Sequence, residues 1–322
     1  MTVYDVIDLT KIYPKQTVPA NDHISLSVEA GEIFGLLGDN GAGKTTLVKQ
    51  MANLLAPTSG TIRLFGQPLN ASPLYTPGQI GYMPQDGLAL NNLTVGETLY
   101  FTAHLRGMSR PDARAERDRL IDLLDLGAAR DRHTARISGG QRRLALLATT
   151  IAASPPVLLL DEPTNDLDPQ HRRRVWDVVR DLNRERDITT ILVTHNVIEA
   201  EKVIQRVGIM RAGKLIAVGR PGALKAELNQ QLRLEIVFPP DQPPTLPDGA
   251  QPREIGPGRW QVLIDRDAAP LYLHVLNQNP AVEDYLLSTA TLEDLYLSLA
   301  ESTTLTDSPL PPQGGKGSAD RG

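Results

Sequence analysis

Between residues 32 and 225 the chain alternates short apolar runs with segments whose apolar positions recur at the helical spacing. We predict strands at Glu32–Leu37, Val157–Leu160 and Thr189–Val193, because each run is short and rich in apolar or β-branched residues. Asp168 and Pro169 predict the start of a helix, since aspartate caps helix N-termini and proline suits the first turn. Repeated strand–helix units of this kind are typical of an α/β fold with a parallel sheet.

Two stretches depart from this alternation. Residues 88–154 lack strand signals and contain helical blocks such as Arg114–Leu126, which predicts a helical insert within the α/β domain. Further along, Leu232–Phe238 and Trp260–Ile264 have strand-like patterns, and Leu292–Leu299 has the pattern of an amphipathic helix. We therefore expect three parts: an α/β domain over residues 1–228, a small α+β domain over 229–302 and a disordered tail over 303–322.

Composition narrows the functional classes. The 322 residues are 41% apolar and 22% charged, which allows a buried core and excludes a disordered charged polymer. A net charge of −5 argues against a nucleic-acid partner, since such proteins usually carry a basic excess. The absence of cysteine excludes disulfides and thiolate metal sites. We find no signal-peptide pattern in the first ten residues and no apolar run near the roughly 20 residues of a membrane span, so we expect the chain itself to be soluble.

A glycine-rich turn follows the first predicted strand. Gly38-Asp39-Asn40-Gly41-Ala42-Gly43-Lys44-Thr45 matches G-x-x-x-x-G-K-[ST], and a predicted helix begins near Lys44. Glycines let successive N–H groups point inward, and the helix adds the positive end of its dipole, so the loop is suited to phosphate. Lys44 can reach the β- and γ-phosphates, and the Thr45 hydroxyl can bind Mg²⁺. A chance match is the weaker explanation, because both flanking elements have the required type.

The predicted strand Val157–Leu160 ends in two carboxylates, Asp161 and Glu162. Beside a phosphate loop, we expect Asp161 to hold Mg²⁺ through water and Glu162 to polarise a water that faces the γ-phosphate. The alternative is a buried strand that meets solvent at its polar end. Without the phosphate loop, that alternative would be the better explanation.

A second anion-binding pattern lies at Ser138-Gly139-Gly140-Gln141, just before the helical run Arg142–Ala153. A serine at a helix N-terminus followed by two glycines offers free N–H groups to an anion. An ordinary capped helix is the alternative explanation. In a chain that already has one phosphate loop, a separate cradle suggests that it serves the nucleotide of another subunit.

These motifs resemble those of the ATP-binding cassette (ABC) ATPases. ISGGQ at Ile137–Gln141 is similar to the LSGGQ signature of that family, and it lies between the phosphate loop and LLLDEP at Leu158–Pro163. Asn165–Asp168 resembles the D-loop, although Asp166 occupies a position where a small residue is common. The resemblance covers roughly residues 3–225. It implies a P-loop NTPase fold of the ABC type.

Three single residues extend the resemblance. Tyr13 in LTKIYP resembles the aromatic residue that stacks on adenine, and Gln85 in GYMPQD resembles the Q-loop glutamine, which contacts Mg²⁺ and water. His195 in LVTHN resembles the switch histidine that contacts the γ-phosphate. Each would be uninformative alone, but all the features follow the order that the family has.

The resemblance assigns a role to each matched position. It implies catalytic roles for Glu162, His195 and Gln85, and Mg²⁺ ligands at Thr45, Gln85 and Asp161. The residues expected to bind ATP within one subunit are Tyr13, Gly38, Asn40, Gly41, Ala42, Gly43, Lys44, Thr45, Thr46 and Asp161. The residues expected to bind the ATP of a partner subunit are Ser138, Gly139, Gly140, Gln141 and Asp168.

The function implied is that of the ATP-hydrolysing subunit of an ABC transporter. Two such subunits, as a homodimer or pseudo-dimer, would close on two ATP molecules and drive separate transmembrane permease subunits from the cytoplasmic face of the membrane. The segment TLEDLYLSLA at Thr291–Ala300 is similar to the end of bacterial drug, antibiotic or lipid exporter ATPases, which favours export. A generic amphipathic helix explains that segment equally well. A soluble ABC ATPase with an assembly or regulatory role and a nucleotide sensor without turnover are the alternative functions.

Overall fold

The computed structural model describes residues 1–71, 75–85, 92–194, 200–225 and 231–289, together with residues 292, 294 and 295. The chain forms two compact units, Met1–Ala226 and Glu227–Gly322. Residues 303–322, for which we predict disorder, lie outside the described residues. Among the described residues, no helix has the length and hydropathy needed to cross a bilayer.

The first unit contains a six-stranded sheet, as far as its residues are described. Its strands are β3 (Ile33–Leu37), β6 (Ile80–Met83), β7 (Val157–Asp161), β8 (Thr189–Val193), β9 (Arg206–Arg211) and β10 (Lys214–Gly219). They lie in the order β10-β9-β3-β8-β7-β6, and all neighbours pair in parallel except β10, which is antiparallel to β9. Every residue of β7 and β8 is buried, because both faces of a central parallel strand are covered. The α/β fold predicted from the strand–helix alternation is confirmed.

An antiparallel sheet in the same unit was not anticipated from the sequence. It is formed by β1 (Thr2–Lys11), β2 (Asn21–Glu29), β4 (Ser59–Leu64) and β5 (Gln67–Pro68), in the order β2-β1-β4-β5. The sequence does carry its signal, since Ile24, Leu26 and Val28 are buried while Ser25 and Ser27 are exposed. That period of two is the pattern of a strand with one covered face.

Helix α1 (Lys44–Met51) connects the two sheets of the first unit. Its residues Leu47, Val48 and Met51 are buried in one hydrophobic core with residues from both sheets. The hydroxyl of Tyr4 on β1 donates a hydrogen bond to the carbonyl oxygen of Met51 at 2.9 Å. The packing thereby fixes the helix that follows the glycine-rich turn.

The other helices of the first unit are α2 (Tyr75–Gln79), α3 (Val95–Leu105), α4 (Arg110–Leu123), α5 (Gly139–Ile151), α6 (Pro169–Arg186) and α7 (Pro221–Lys225). Two short 3-10 helices, Gly127–Ala129 and Thr134–Arg136, lie between α4 and α5. Helix α4 begins earlier than the predicted block because Ser109 caps it, accepting a hydrogen bond from the Asp112 amide.

The second unit is an antiparallel sheet with one helix on it, within the described residues. The strands β11 (Gln231–Val237), β12 (Arg253–Gly256), β13 (Arg259–Asp265) and β14 (Asp284–Thr289) lie in the order β12-β13-β11-β14. A short 3-10 helix, Arg266–Ala268, leads into α8 (Ala269–Gln278). Leu234, Ile236 and Val262 of the sheet share one core with Tyr272 and Leu276 of the helix.

A carboxylate after β14 is buried in the second unit. Asp294 accepts a hydrogen bond from the Gln261 side-chain amide at 2.7 Å, and its Oδ1 lies 3.5 Å from a guanidinium nitrogen of Arg233. Leu292 and Leu295 are also buried. Most of the predicted helix Leu292–Leu299 lies outside the described residues.

Candidate nucleotide-binding site

The glycine-rich turn joins the end of β3 to the start of α1. Its backbone takes conformations that favour glycine, with φ of 146° at Gly38 and 98° at Gly43. A Cβ at Gly43 would lie 2.1 Å from the carbonyl oxygen of Ala20, and a Cβ at Gly38 would lie 2.1 Å from that of Met210. The turn is therefore held against two neighbouring backbones that exclude any side chain at these positions.

Lys44 folds back over this turn. Its Nζ atom donates hydrogen bonds to the carbonyl oxygens of Gly38 at 2.7 Å and Asp39 at 2.8 Å. The side chain is only 6% exposed, and this burial lowers the pKa of Lys44 in spite of the nearby Glu162 and Asp161 carboxylates, which raise it. Because the ammonium group has already lost most of its water, it can bind an anion in the turn without a further cost of desolvation.

Asp161 ends β7 beside the same turn. It is 0% exposed, and neither of its carboxylate oxygens has a full hydrogen-bond partner among the described residues. Burial raises the pKa of Asp161, while the nearby Thr45 hydroxyl and the Lys44 ammonium act in the opposite direction. A buried carboxylate next to a threonine hydroxyl offers the oxygen ligands that Mg²⁺ prefers, so these two residues fit that ion.

Glu162 follows in a strained backbone conformation. Its φ is 52°, in the left-handed region, which costs a non-glycine residue about 1 kcal/mol or more. Its amide donates a hydrogen bond to the carbonyl oxygen of Val193 on β8 at 2.9 Å. The turn at Glu162 takes the chain out of the sheet, so that its side chain joins the cleft described next.

A cleft of about 340 Å³ opens above the glycine-rich turn. It is lined by the residue before β2, by the turn and the start of α1, and by residues at or just after the ends of β6, β7 and β8: Ala20, Asn40, Gly41, Gly43, Lys44, Thr45, Thr46, Gln85, Glu162 and Val193. The structure therefore brings Gln85 and Glu162 together with Lys44 and the other phosphate-loop residues, although these segments lie far apart in the sequence.

Tyr13 lies beside the start of α1. Its hydroxyl is 3.3 Å from that of Thr46, and the Lys11 ammonium lies 5.7 Å from the centre of its ring. The ring is partly exposed. It is close enough to α1 to border a nucleotide held by the turn, which leaves adenine stacking as a prediction.

The Ser138 segment starts α5 and does not line this cleft. Ser138 and Gln141 form a reciprocal capping box: the serine hydroxyl accepts from the Gln141 amide at 3.2 Å, and the Gln141 side-chain oxygen accepts from the Ser138 amide at 3.3 Å. Ser138 and Gly139 are exposed, and a Cβ added at Gly139 would meet open space. The capped helix start predicted from the sequence is present, with an open surface in front of it.

The remaining predicted site residues are Asp168 and His195. Asp168 caps α6 through hydrogen bonds from the Gln170 and His171 amides, both at 3.0 Å. The His171 amide and ring hold the pKa of Asp168 below its ordinary value. His195 lies outside the described residues.

Comparison with known proteins identifies the family. The model of the ABC transporter family matches residues 21–165. The daunorubicin/doxorubicin resistance ATP-binding protein DrrA of Streptomyces peucetius is 33% identical over 307 residues, which are 90% of this chain and 90% of DrrA. The chain belongs to the ATP-binding proteins of the ABC transporter family. This ABC ATPase is also 36% identical to the Nod factor export ATP-binding protein I of Paraburkholderia xenovorans, over 90% of this chain and 94% of that protein.

Longer relatives and solved structures complete the comparison. The chain spans 14% of ATP-binding cassette sub-family A member 7 of Rattus norvegicus, to which it is 34% identical. The dimeric cassette MJ0796, in a post-hydrolysis state bound to ADP and Pi, matches with a TM-score of 0.63 at 22% identity, over 67% of this chain and 98% of that one. The family, the ABC-type P-loop fold and the ATPase activity predicted from the sequence are therefore confirmed. Cassettes of this family form dimers and work with transmembrane subunits.

Two residues of this ABC ATPase support the site but carried no sequence signal that we used. Asn21 is buried at the start of β2 and donates to the carbonyl oxygen of Gly43 at 3.0 Å. Arg143 on α5 is buried against the ends of β6 and β7. A polar residue inside an alternating strand and an arginine on the apolar side of a helix are the signals that could have found them.

Proposed function

We propose that two copies of this ABC ATPase close head to tail around two ATP molecules, each held between the glycine-rich turn of one copy and the Ser138 helix start of the other. The observation that carries the proposal is the separation of two anion-binding devices within one chain. The turn, Lys44 and Asp161 form one cleft, whereas Ser138–Gln141 lies outside it on an open surface. A second copy supplies the missing half of each site.

Within each site we assign the binding of the nucleotide and of Mg²⁺ to residues in and beside the cleft. Lys44 and the turn amides bind the β- and γ-phosphates, and Tyr13 stacks on adenine. Thr45 and Asp161 would hold Mg²⁺, with Gln85 nearby. When bound, that ion neutralises charge on the phosphate oxygens during transfer.

Hydrolysis itself falls to Glu162. Its carboxylate lines the cleft and takes a proton from the water that attacks the γ-phosphate, a role worth about 10²–10⁴ in rate. We assign His195, as in the sequence prediction, to the γ-phosphate, and Asp168 to the partner side of the interface. Loss of the γ-phosphate removes the contact that joins the two copies, so each turnover lets them separate.

We further propose that the dimer energises export through separate transmembrane permease subunits at the cytoplasmic face of the membrane. DrrA and the Nod factor export protein, which carry resistance and export in their names, match over most of their length. This support concerns the direction of transport and not the substrate.

Mixed dimers test the shared site. Lys44→Ala removes the phosphate-binding cation, and Ser138→Arg fills the open surface before α5. Each variant alone is expected to hydrolyse ATP very slowly. In a mixture, one site of every mixed dimer carries both changes and the other carries neither, so phosphate release should recover.

Two control variants separate this result from damage to the fold. Lys49→Ala removes an exposed lysine from the same helix as Lys44, and Ser109→Arg alters the exposed cap of α4 as Ser138→Arg alters that of α5. Both should retain turnover. A mixture of Lys44→Ala and Ser138→Arg that remains as inactive as its components would refute the head-to-tail arrangement.

A further inference from the structure

A single buried guanidinium group joins α5 to two strand ends of the catalytic cleft. Arg143 is 8% exposed and follows Gln141 by two positions on α5. Its nitrogen atoms donate hydrogen bonds to five backbone carbonyl oxygens: those of Pro84 (3.1 Å), Gln85 (2.6 Å), Asp161 (2.7 Å), Glu162 and Pro163 (3.4 Å).

These carbonyl groups lie where the ladder between β6 and β7 has ended. The last paired residues are Met83 and Leu160, so the chain beyond them has no strand partner on that side. Buried carbonyl groups need hydrogen-bond donors, and a planar guanidinium with five N–H groups can serve several at once. Beyond the last paired residues of β6 and β7, the N–H groups of Arg143 therefore supply the hydrogen bonds that strand pairing no longer supplies. This is the point at which Gln85 and Glu162 reach the cleft.

We propose that Arg143 is a positioning residue for ATP hydrolysis, which holds the backbone of Glu162 and Gln85 at a fixed distance from the Ser138 helix start. Arg143 does not itself line the cleft, and it acts through the backbone carbonyl groups of two residues that do, Gln85 and Glu162. The proposal rests on the function proposed above, because it takes Glu162 as the proton acceptor.

The hydrogen bond from Arg143 to the Glu162 carbonyl matters because Glu162 has a left-handed backbone conformation. A non-glycine residue keeps such a backbone only where its surroundings hold it. The Glu162 amide donates to Val193 of β8, and the Glu162 carbonyl accepts from Arg143 and, at 3.3 Å, from the Asn165 amide of the turn that follows. Of the two donors, only Arg143 also binds the backbone of Gln85, so its loss frees Glu162 from the neighbouring strand end and lets the carboxylate move away from the attacking water.

The same contact links the two sites of a dimer. In the proposed dimer the cap at the start of α5 would face the partner's ATP, and Arg143 lies within the second turn of that helix. A shift of the helix start on binding or release of the partner's nucleotide therefore reaches Glu162 of the chain's own site through one side chain. Arg143 thus gives each site a physical means to sense the other.

The matched control is Arg106, a partly buried arginine that follows α3 and contacts the C-terminal end of α5. Arg106 donates hydrogen bonds to the carbonyl oxygens of Thr150 at 2.8 Å and Ala152 at 2.6 Å. It resembles Arg143 in donating to several backbone carbonyl groups at one end of α5, although it is less buried, and it does not line the cleft. Arg106→Lys therefore reports the cost of weakening such a contact without disturbing the site.

The test compares Arg143→Lys, Arg143→Gln and Arg106→Lys in the full-length chain. A lysine keeps the charge but lacks the planar fork, so it cannot serve both strand ends. We expect Arg143→Lys to lower kcat by about 10²-fold with an unchanged KM for ATP, because misplacement of a reacting group by about 1 Å has this effect. Arg106→Lys should keep kcat although its unfolding midpoint falls.

A double variant adds a readout that a purely structural role would not produce. In single-turnover assays, Arg143→Lys should cause no further loss of rate when Glu162 is already replaced by glutamine, since both changes affect the same step. An additive loss would overturn the positioning role. So would a wild-type kcat in a folded Arg143→Lys or Arg143→Gln variant, or a failure of both variants to fold while Arg106→Lys folds.

These outcomes are separable from failure of the proposed function. If Glu162→Gln retains turnover, or the mixed dimers fail to recover, the proposed function is wrong. If Glu162→Gln is inactive and the mixture recovers while Arg143→Lys has a wild-type kcat, only the role of Arg143 is wrong.

Discussion

The side-chain amide of Asn21 donates a hydrogen bond to the carbonyl oxygen of Gly43 at 3.0 Å, and its side-chain oxygen accepts one from Gln50 at 2.7 Å. Asn21 is fully buried. Through this pair of contacts, Asn21 links Gly43, at the end of the glycine-rich turn, to Gln50 of α1.

We therefore expect Asn21→Ala to weaken both the fold and ATP binding. The change removes two buried hydrogen bonds, each of which contributes about 0.5–1.5 kcal/mol to the free energy of unfolding. The Gly43 carbonyl keeps the Leu47 amide and the Gln50 amide keeps the Thr46 carbonyl as partners, so the fold itself should survive. The loop is then less well held, and ATP affinity measured by calorimetry should fall by about tenfold, or about 1.4 kcal/mol. Asn183→Ala is the control, because that amide donates to the Gly31 and Ile188 carbonyl oxygens at 2.7 and 3.0 Å. An equal loss of affinity in both variants would show that the effect is not specific to the loop.

Glu162→Gln should bind ATP but hydrolyse it about 10²–10⁴ times more slowly, because an amide cannot accept the proton of the attacking water. With hydrolysis blocked, an ATP-dependent dimer should accumulate and elute earlier in size-exclusion chromatography. Phosphate release measures the rate, and Glu185→Gln on the exposed end of α6 is the control. Near-normal turnover in Glu162→Gln would contradict the role assigned to this carboxylate.

Asp161→Asn should stabilise the nucleotide-free protein while it abolishes Mg²⁺-dependent hydrolysis. Burial raises the pKa of Asp161 in the fold, so the ionised carboxylate costs stability once the pH rises above the ordinary value of 3.8 and through the raised one. At neutral pH an uncharged amide removes this cost, and a gain of about 1 kcal/mol is expected in urea unfolding. Asp177→Asn, at an exposed position of α6, should change neither property. A less stable Asp161→Asn protein would show that the carboxylate is better satisfied than its surroundings indicate.

Acid stability should depend on Glu116. This carboxylate is buried on α4 and receives two hydrogen bonds from Arg119, at 2.7 and 2.8 Å. Burial acts to raise the pKa of Glu116, but the Arg119 contacts outweigh it and hold the pKa below the ordinary 4.5. The stabilisation is therefore complete above pH 4.5 and is lost as the pH falls through the lower folded value.

Unfolding experiments between neutral and acid pH test that assignment. Glu116→Gln should be less stable at neutral pH and should lose less stability than the wild type on acidification. Glu185→Gln removes an exposed carboxylate and should leave the acid dependence as it is. Parallel pH curves for the wild type and Glu116→Gln would rule out the pair as a source of acid sensitivity.

Local patterns allowed the phosphate loop and the ends of the central strands to be predicted from the sequence. The glycines of the loop, the apolar run of β7 and the cap at Ser138 each depend on neighbours a few positions away. The structure adds only how close the surrounding backbones come, as at Gly38 and Gly43.

Contacts between distant segments could not be predicted in this way. Asn21 and Gly43 are 22 positions apart, and Arg143 lies 58 and 19 positions from Gln85 and Glu162. Nothing in the spacing of these residues shows that they meet, because the order of strands in the sheet decides it. The antiparallel sheet at the start of the chain was missed for a different reason: its alternation was visible, but we weighed only strand–helix repeats.

The burial of Asp294 has a practical consequence for anyone who shortens this chain. A fragment that stops after β14 would remove the acceptor of the buried Gln261 amide and leave Arg233 with Glu235 as its remaining carboxylate neighbour. A truncated form of the second unit should therefore end beyond residue 295, because Leu292, Asp294 and Leu295 are all buried.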